Sequence, residues 1–250
     1  WRPILELTVR QVHARASAEK YASVWLPGGS PLMVHSRAQS EALARRLGDT
    51  VEVAVAMRYG NPSLSSVLDD LQQAGVRRVL LVPMYPQFST TTVATVMDAL
   101  ARHIQQRQDQ REYRIVRDCH DDPAYIDACA ALIEQTWADE GRPDFAGGDK
   151  LLLSYHGIPV SMVADGDPYP AECERTTELL RLRLGLTDAE CELAYQSKFG
   201  RAEWLTPATI ERVAELARAG VGRLDVFCPG CVAGCLETEE EIGMLNREEF

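Results

Sequence analysis

The sequence predicts an α/β fold of two similar doubly wound domains. Three observations carry this. Strand-like apolar runs alternate with helical patterns along the whole chain, which is the signature of parallel sheets covered by helices. Helix starts and stops are punctuated by Pro and Gly at the expected offsets. A diverged repeat also links Ala74-Gly-Val-Arg-Arg-Val-Leu-Leu-Val-Pro-Met-Tyr-Pro86 with Ala219-Gly-Val-Gly-Arg-Leu-Asp-Val-Phe-Cys-Pro-Gly-Cys231. Both copies run helix, Ala-Gly-Val, strand, Pro-containing turn and a Thr-bearing helix start. Duplication places a domain break near residue 120, giving domains over 1–120 and 121–250. Convergence on common helix–strand grammar is the competing explanation.

In chain order, Ser30-Pro31 caps and starts a helix that runs to Leu47, with Gly48 as its stop. Val51–Met57 reads as a strand. Asn61-Pro62 opens a helix ending near Gly75, and strand Arg78–Pro83 follows. Thr92 to about Gln108 is helical and Tyr113–Arg117 is a strand. Asp122-Pro123 opens a helix to about Asp139. The Gly-, Pro- and Asp-rich Gly141–Asp149 is an exposed connection. Strand Leu151–Tyr155 is apolar enough to be buried on both faces. Then come helix Pro170–Leu184 stopped by Gly185, strand Cys191–Gln196, a helix from Thr206-Pro207 to near Gly220, strand Arg223–Phe227, and a helix from Glu237 onward.

Composition bounds the function. With 46% hydrophobic and 25% charged residues the chain is of soluble globular type. Its apolar runs fall short of the roughly 20 residues of a membrane span. A net charge of −11 argues against a nucleic-acid partner. Trp1-Arg-Pro-Ile-Leu-Glu6 is too short and too charged for an export signal, and the chain lacks an initiator Met, as a piece of a longer protein would. Seven cysteines are not a disulfide framework, and the scattered Cys119, Cys129, Cys173 and Cys191 then point to reduced thiols in the cytoplasm.

In open α/β sheets ligands bind beyond the C-terminal strand ends. Four such ends carry reactive groups: Met57-Arg-Tyr-Gly60, Pro83-Met-Tyr-Pro-Gln-Phe88, His156-Gly157, and the turn from Cys228 to Glu241. His156 offers a nitrogen that ligates metal or accepts a proton near neutrality, and Gly157 beside it admits a bulky ligand. The alternative is a histidine hydrogen-bonded in a turn. Glu237, Glu239, Glu240 and Glu241 open the last helix. The helix dipole accounts for one or two of them. It does not account for Glu237 and Glu241 on one face, where like charges repel by roughly 0.2–0.5 kcal/mol per pair unless a cation or a shared proton relieves them. Cys228, Cys231 and Cys235 have C-x2-C-x3-C spacing, which suits a metal, but no fourth ligand is evident and buried turn residues explain them equally. Arg58-Tyr59 and Gln196-Ser-Lys-Phe-Gly-Arg201 pair cations with rings, as a flat aromatic ligand bearing carboxylates requires. Tyr85 and Trp204 are pocket wall or core.

These motifs resemble the ferrochelatase family over essentially the whole chain. The likeness rests on Ser17-Ala-Glu-Lys-Tyr-Ala-Ser-Val-Trp25, Gly29-Ser-Pro-Leu32, Met57-Arg-Tyr-Gly-Asn-Pro62 and Pro83-Met-Tyr-Pro-Gln-Phe-Ser-Thr-Thr-Thr92. It continues through Asp121-Asp-Pro-Ala-Tyr125, Ser154-Tyr-His-Gly-Ile-Pro159, Gly166-Asp-Pro-Tyr-Pro170, Tyr195-Gln-Ser-Lys-Phe-Gly-Arg201 with Trp204, and Cys228-Pro-Gly with Cys235-Leu-Glu-Thr238. The resemblance implies two similar Rossmann-like domains with parallel sheets flanked by helices and a cleft between them. It implies insertion of ferrous iron into protoporphyrin IX, the last step of haem synthesis. His156 and Glu237 would be the metal-binding and proton-handling pair on opposite sides of the macrocycle, and Glu240 and Glu241 a carboxylate line for protons or metal. Arg58, Tyr59, Tyr85 and Trp204 would line the porphyrin pocket.

No resident cofactor is implied, Fe2+ being a substrate. A 2Fe–2S cluster, which some members hold through C-terminal cysteines, is not expected, because the chain ends before that set. The family's first strand and lip, and its C-terminal end, are missing here. Cys231, Gly234 and Glu239 stand where the family carries a bulky aromatic, an Asp and a Leu. The resemblance allows peripheral membrane contact and leaves the oligomeric state open. The competing readings are coproporphyrin III as substrate, a cobalt or sirohydrochlorin chelatase, for whose second histidine His35 and His120 are poor candidates, and a non-catalytic porphyrin- or metal-binding protein.

Overall fold

The structure, a computed structural model, describes residues 10–250, with side chains from residue 17 onward. The reading of Trp1–Glu6 lies outside these residues. Two compact units are present, one formed by the chain up to Val53 with Ala233–Glu249, the other by Ala54–Val232.

The first unit contains helices α1 (Arg10–Ser23) and α2 (Pro31–Leu47) and a π-helix over Glu237–Asn246. Helix α2 has the bounds its sequence dictates. Ser30 Oγ accepts the Met33 N–H, Pro31 takes the first position, and Gly48 ends the helix at φ 68°, a backbone region that favours glycine. The last helix begins at Glu237 as expected. Its hydrogen bonds skip five residues instead of four, a geometry common at functional sites.

The second unit is an α/β assembly with parallel sheets flanked by helices. Strands β1 (Arg78–Leu81) and β2 (Glu112–Ile115) pair in parallel, Val79 opposite Tyr113 and Leu81 opposite Ile115. Helices α3 (Leu64–Gln73) and α4 (Val93–Gln105) cover them through Leu64, Leu68, Val96 and Leu100. A second parallel sheet has the order β4-β3-β5, with β3 (Lys150–His156) between β4 (Cys191–Gln196) and β5 (Leu224–Phe227).

The sequence of β3 explains its central place. Leu151, Leu153 and Tyr155 point to one face, where α5 (Pro123–Glu140) and α7 (Tyr169–Leu184) pack with Ile126, Ile133, Trp137, Cys173 and Leu180. Leu152 points to the other, against Ala194 and against Val213 of α8 (Thr209–Arg218). Asp122 caps α5 by accepting the Ala124 and Tyr125 N–H groups, and Gly185 terminates α7 in the left-handed region. The short helix α6 (Val160–Ala164) lies between β3 and α7.

Several boundaries differ from the sequence reading: β1 stops at Leu81, β2 covers Glu112–Ile115, and α4 ends at Gln105. Val51–Met57 forms no ladder among the described residues. Met57 spends its N–H on the Pro62 carbonyl and its carbonyl on the Leu64 N–H, closing a local loop instead of joining a neighbouring strand. The helix expected from Asn61-Pro62 starts at Leu64, because Ser63 is the residue whose hydroxyl accepts the Ser66 N–H. The helix expected from Thr206-Pro207 starts at Thr209, with Ala208 at the N-cap position and no side-chain cap. Among the described residues no helix is long and apolar enough to cross a membrane.

Candidate active site

In the second unit, His156 ends β3 opposite Gln196, the last residue of β4. Its ring is exposed, and Nδ1 lies 2.8 Å from the Gly157 carbonyl. A carbonyl only accepts, so in the neutral ring Nδ1 carries the proton and Nε2 keeps the lone pair. The turn therefore presets the tautomer that a metal ligand or proton acceptor needs.

Gly157 is required by close approach. A Cβ there would meet the Gln196 carbonyl at 3.1 Å and the Trp204 ring at 3.2 Å. The segment is pinned on both sides. The Gly157 N–H donates to the Gln196 carbonyl at 2.8 Å, Leu205 N–H to the Ile158 carbonyl at 3.1 Å, and Val160 N–H to the Glu203 carbonyl at 2.9 Å. Trp204 thus backs the His156 turn as a buried plate, its outer neighbour Phe199 tilted against it at 4.8 Å. Gly157→Val should cost roughly 1–3 kcal/mol through forced overpacking and displace His156. The check is a lowered Tm together with altered NMR signals of the His156 imidazole.

A buried polar layer lies beneath His156. Ser154 Oγ donates to Gln196 Oε1 at 2.7 Å and lies 2.8 Å from Thr209 Oγ1, and the Cys228 thiol reaches the same Gln196 oxygen at 3.5 Å. It ties the ends of β3, β4 and β5 and the start of α8 together. Gln196 Nε2 and Trp204 Nε1 are buried without a hydrogen-bond partner. The sequence reading did not single out Ser154 and Thr209. The signal was available, since Ser154 is the polar interruption in the apolar run of β3.

Arg58 and Tyr59 come together on one loop. The guanidinium lies 4.3 Å from the Tyr59 ring centroid, its Nε donates to the Thr95 carbonyl at 2.7 Å, and the Tyr59 ring is 69% exposed. This leaves a cation backed by an open aromatic face. Tyr85 sits with exposed Met84 on the loop that follows β1.

Beyond β2, Asp118, His120 and Asp121 bring three candidate ligand atoms within 4.8 Å of one another, a grouping the sequence reading passed over. Two of them are already engaged. Asp118 pairs with Arg117 and, at 2.8 Å, with His120.

In the first unit, Glu237 opens the π-helix. The Leu-Glu-Thr motif sets its place: Thr238 Oγ1 accepts the Cys235 N–H at 2.9 Å and donates to the Cys235 carbonyl at 3.1 Å, locking the turn around Glu237. The Tyr21 phenol is pushed up, first by burial and then by the charges of Glu237 and Cys235. Glu240 is nearly buried, with both oxygens 2.9 Å from Lys20 Nζ. The space over Gly234 is filled by the Glu239 carboxylate and the His35 ring. Glu241 lies one turn on, its carbonyl accepting from Asn246 Nδ2 at 2.7 Å.

The structure therefore gathers the predicted residues as His156 with Trp204, Arg58 with Tyr59, and Glu237 with Glu240 and Glu241. The family model for ferrochelatase matches residues 1–250, and the chain belongs to the ferrochelatase family.

Proposed function

We propose that this chain inserts ferrous iron into protoporphyrin IX, forming protohaem, with His156 and Glu237 as its metal-binding and proton-handling pair. The family's activity is metal insertion into a porphyrin in haem biosynthesis. The observation that carries the residue assignment is the Nδ1–H bond of His156 to its own turn, which leaves Nε2 as an exposed base. In the overall change the macrocycle loses two pyrrole N–H protons and gains one Fe2+, so the metal sheds water while two protons leave. An imidazole accepts a pyrrole proton, and a carboxylate compensates the cation's lost hydration. A pocket that favours a bent macrocycle exposes the nitrogen lone pairs and lowers the barrier.

In this reading Glu241 extends Glu237 along the π-helix as a relay, while the ion pair with Lys20 holds Glu240 as its inner flank. Arg58 and Tyr59 take a porphyrin carboxylate and ring face, and Tyr85 and Trp204 belong to the pocket wall. The diverged repeat supports two similar domains over 1–120 and 121–250. The acidic composition and reduced-type cysteine usage favour a cytoplasmic enzyme. No resident cofactor is needed.

The test is anaerobic insertion of Fe(II), with Zn(II) as a surrogate, followed by visible absorption, using protoporphyrin IX and coproporphyrin III in parallel. The expected result is a kcat/KM at least tenfold higher for protoporphyrin IX, and a Glu237→Gln variant slowed by about 10²-fold or more. A preference for coproporphyrin III would overturn the substrate. Porphyrin binding with no insertion would make the chain a binding protein.

A further inference from the structure

The loop after β1, residues 82–92, carries Met84 and Tyr85 outward, while Pro86, Gln87 and Ser89 are buried on its inner side. One carboxylate dominates that inner side. Asp167 Oδ2 accepts from Ser89 Oγ at 3.0 Å, Thr90 N–H at 2.7 Å and Thr90 Oγ1 at 2.6 Å. Its Oδ1 accepts the Tyr169 N–H at 3.0 Å. The side chain is buried, and among the described residues its partners are hydroxyl and backbone N–H donors. A buried carboxylate without a cation is costly unless donors surround it. Here the loop supplies most of them.

A bare helix start explains only half of this. An Asp two residues before Tyr169 would accept that N–H whether or not a loop lay nearby. Oδ2 is committed wholly to Ser89 and Thr90, across 77 residues of sequence. Two neighbours in α7 add to the same clamp: Glu172 Oε2 accepts the Phe88 N–H at 2.6 Å, and Gln87 Nε2 donates to Thr176 Oγ1 at 3.0 Å. Glu172 also serves Arg117 at 3.0 Å, so its loss would disturb another network. The bonds of Asp167 run to this loop and to the first turn of α7.

We propose that Asp167 is a positioning residue for porphyrin recognition: by holding Ser89 and Thr90 it fixes the loop that presents Met84 and Tyr85 to the macrocycle. The inference rests on the porphyrin-binding role given above to Tyr85. Burial raises the Asp167 pKa, but the bonds from Thr90, Tyr169 and Ser89 outweigh it, so the net direction is down. The group stays ionised through the neutral range. Its stabilisation is complete above the ordinary Asp pKa of about 3.9 and fades as pH falls toward the lowered folded value.

The test is Asp167→Asn, which turns a carboxylate that accepts from four donors into an amide with half the accepting capacity. Hydrogen exchange of the peptide spanning 83–92 should speed up roughly tenfold, as loss of one or two charge-assisted bonds implies. The KM for porphyrin should rise about tenfold, while the KM for metal and kcat change less than about twofold. Thr90→Val, which keeps the backbone bond and removes one hydroxyl, should give a smaller shift in the same direction, and it decides the matter if Asp167→Asn does not fold. Unchanged exchange in the loop overturns the tether. Faster exchange with an unchanged porphyrin KM, or an equal rise in the metal KM, overturns the positioning role. If the wild-type protein takes no porphyrin, the functional reading fails, the recognition role falls with it, and the exchange arm still judges the tether.

Discussion

His156→Ala should lower kcat for metal insertion by about 10²–10⁴-fold, the range supplied by a positioned acid–base group, while shifting Tm by no more than about 2 °C. The asymmetry follows from where the ring sits. It is exposed at the end of β3, and its one hydrogen bond runs to the carbonyl of its own neighbour, so little folding energy is lost with it. What is lost is Nε2, the nitrogen whose lone pair the turn sets free. Porphyrin affinity, read by quenching of protein fluorescence, should change less than about threefold, because the contacts assigned to binding lie elsewhere.

His103→Ala is the matching control. His103 is buried between α3 and α4, 3.0 Å from Ser65 through Nδ1, and burial pushes its pKa down, with Asp69 raising it and Arg107 lowering it by smaller amounts. Its removal should cost stability and leave insertion per folded molecule intact. If His156→Ala keeps more than a tenth of wild-type turnover, the proton- and metal-handling role belongs to another group.

The sequence announced the helices whose ends are encoded locally. Ser30-Pro31 with Gly48, Asp122-Pro123 and Gly185 all lie where their side chains or backbone angles demand. The central strand was legible too, because Leu151–Tyr155 is apolar on both faces and such a run belongs between neighbours. Val51–Met57 failed because an apolar run states no partner, and the Met57 backbone is satisfied within a few residues. The π-helix was illegible because four glutamates and a threonine do not say whether bonds skip four residues or five. Among the candidate site residues, the strand-end place of His156 and the helix-opening place of Glu237 were legible from the sequence. The closeness of Trp204 to Gly157 and the grip of Asp167 on Thr90 were not, since both depend on residues brought together by the fold.

Leu153→Ala should destabilise the protein by about 2–5 kcal/mol, the usual cost of a core leucine truncated to a cavity. Leu153 has 0% exposure and lies between Leu193 on β4 and Phe227 on β5, with the α5–α7 layer on its face. Three elements would have to move to refill the space, and two of them are hydrogen-bonded strands, so the site cannot collapse cheaply. For a chain of this size the loss corresponds to a Tm lower by roughly 4–20 °C. Leu182→Ala, on the outer face of α7 at 71% exposure, should stay within about 0.5 kcal/mol of wild type. The comparison separates the two jobs of β3, because Leu153 and His156 are three residues apart on one strand and point to different surroundings. Insertion per folded Leu153→Ala molecule at low temperature should stay within about threefold of wild type, since the His156 turn is pinned by Gln196, Glu203 and Leu205 beyond the strand's buried core. A Tm unchanged by Leu153→Ala would contradict the central place of β3. A collapse of turnover at full occupancy of the folded state would show that the core of β3, and not the turn after it, fixes the imidazole.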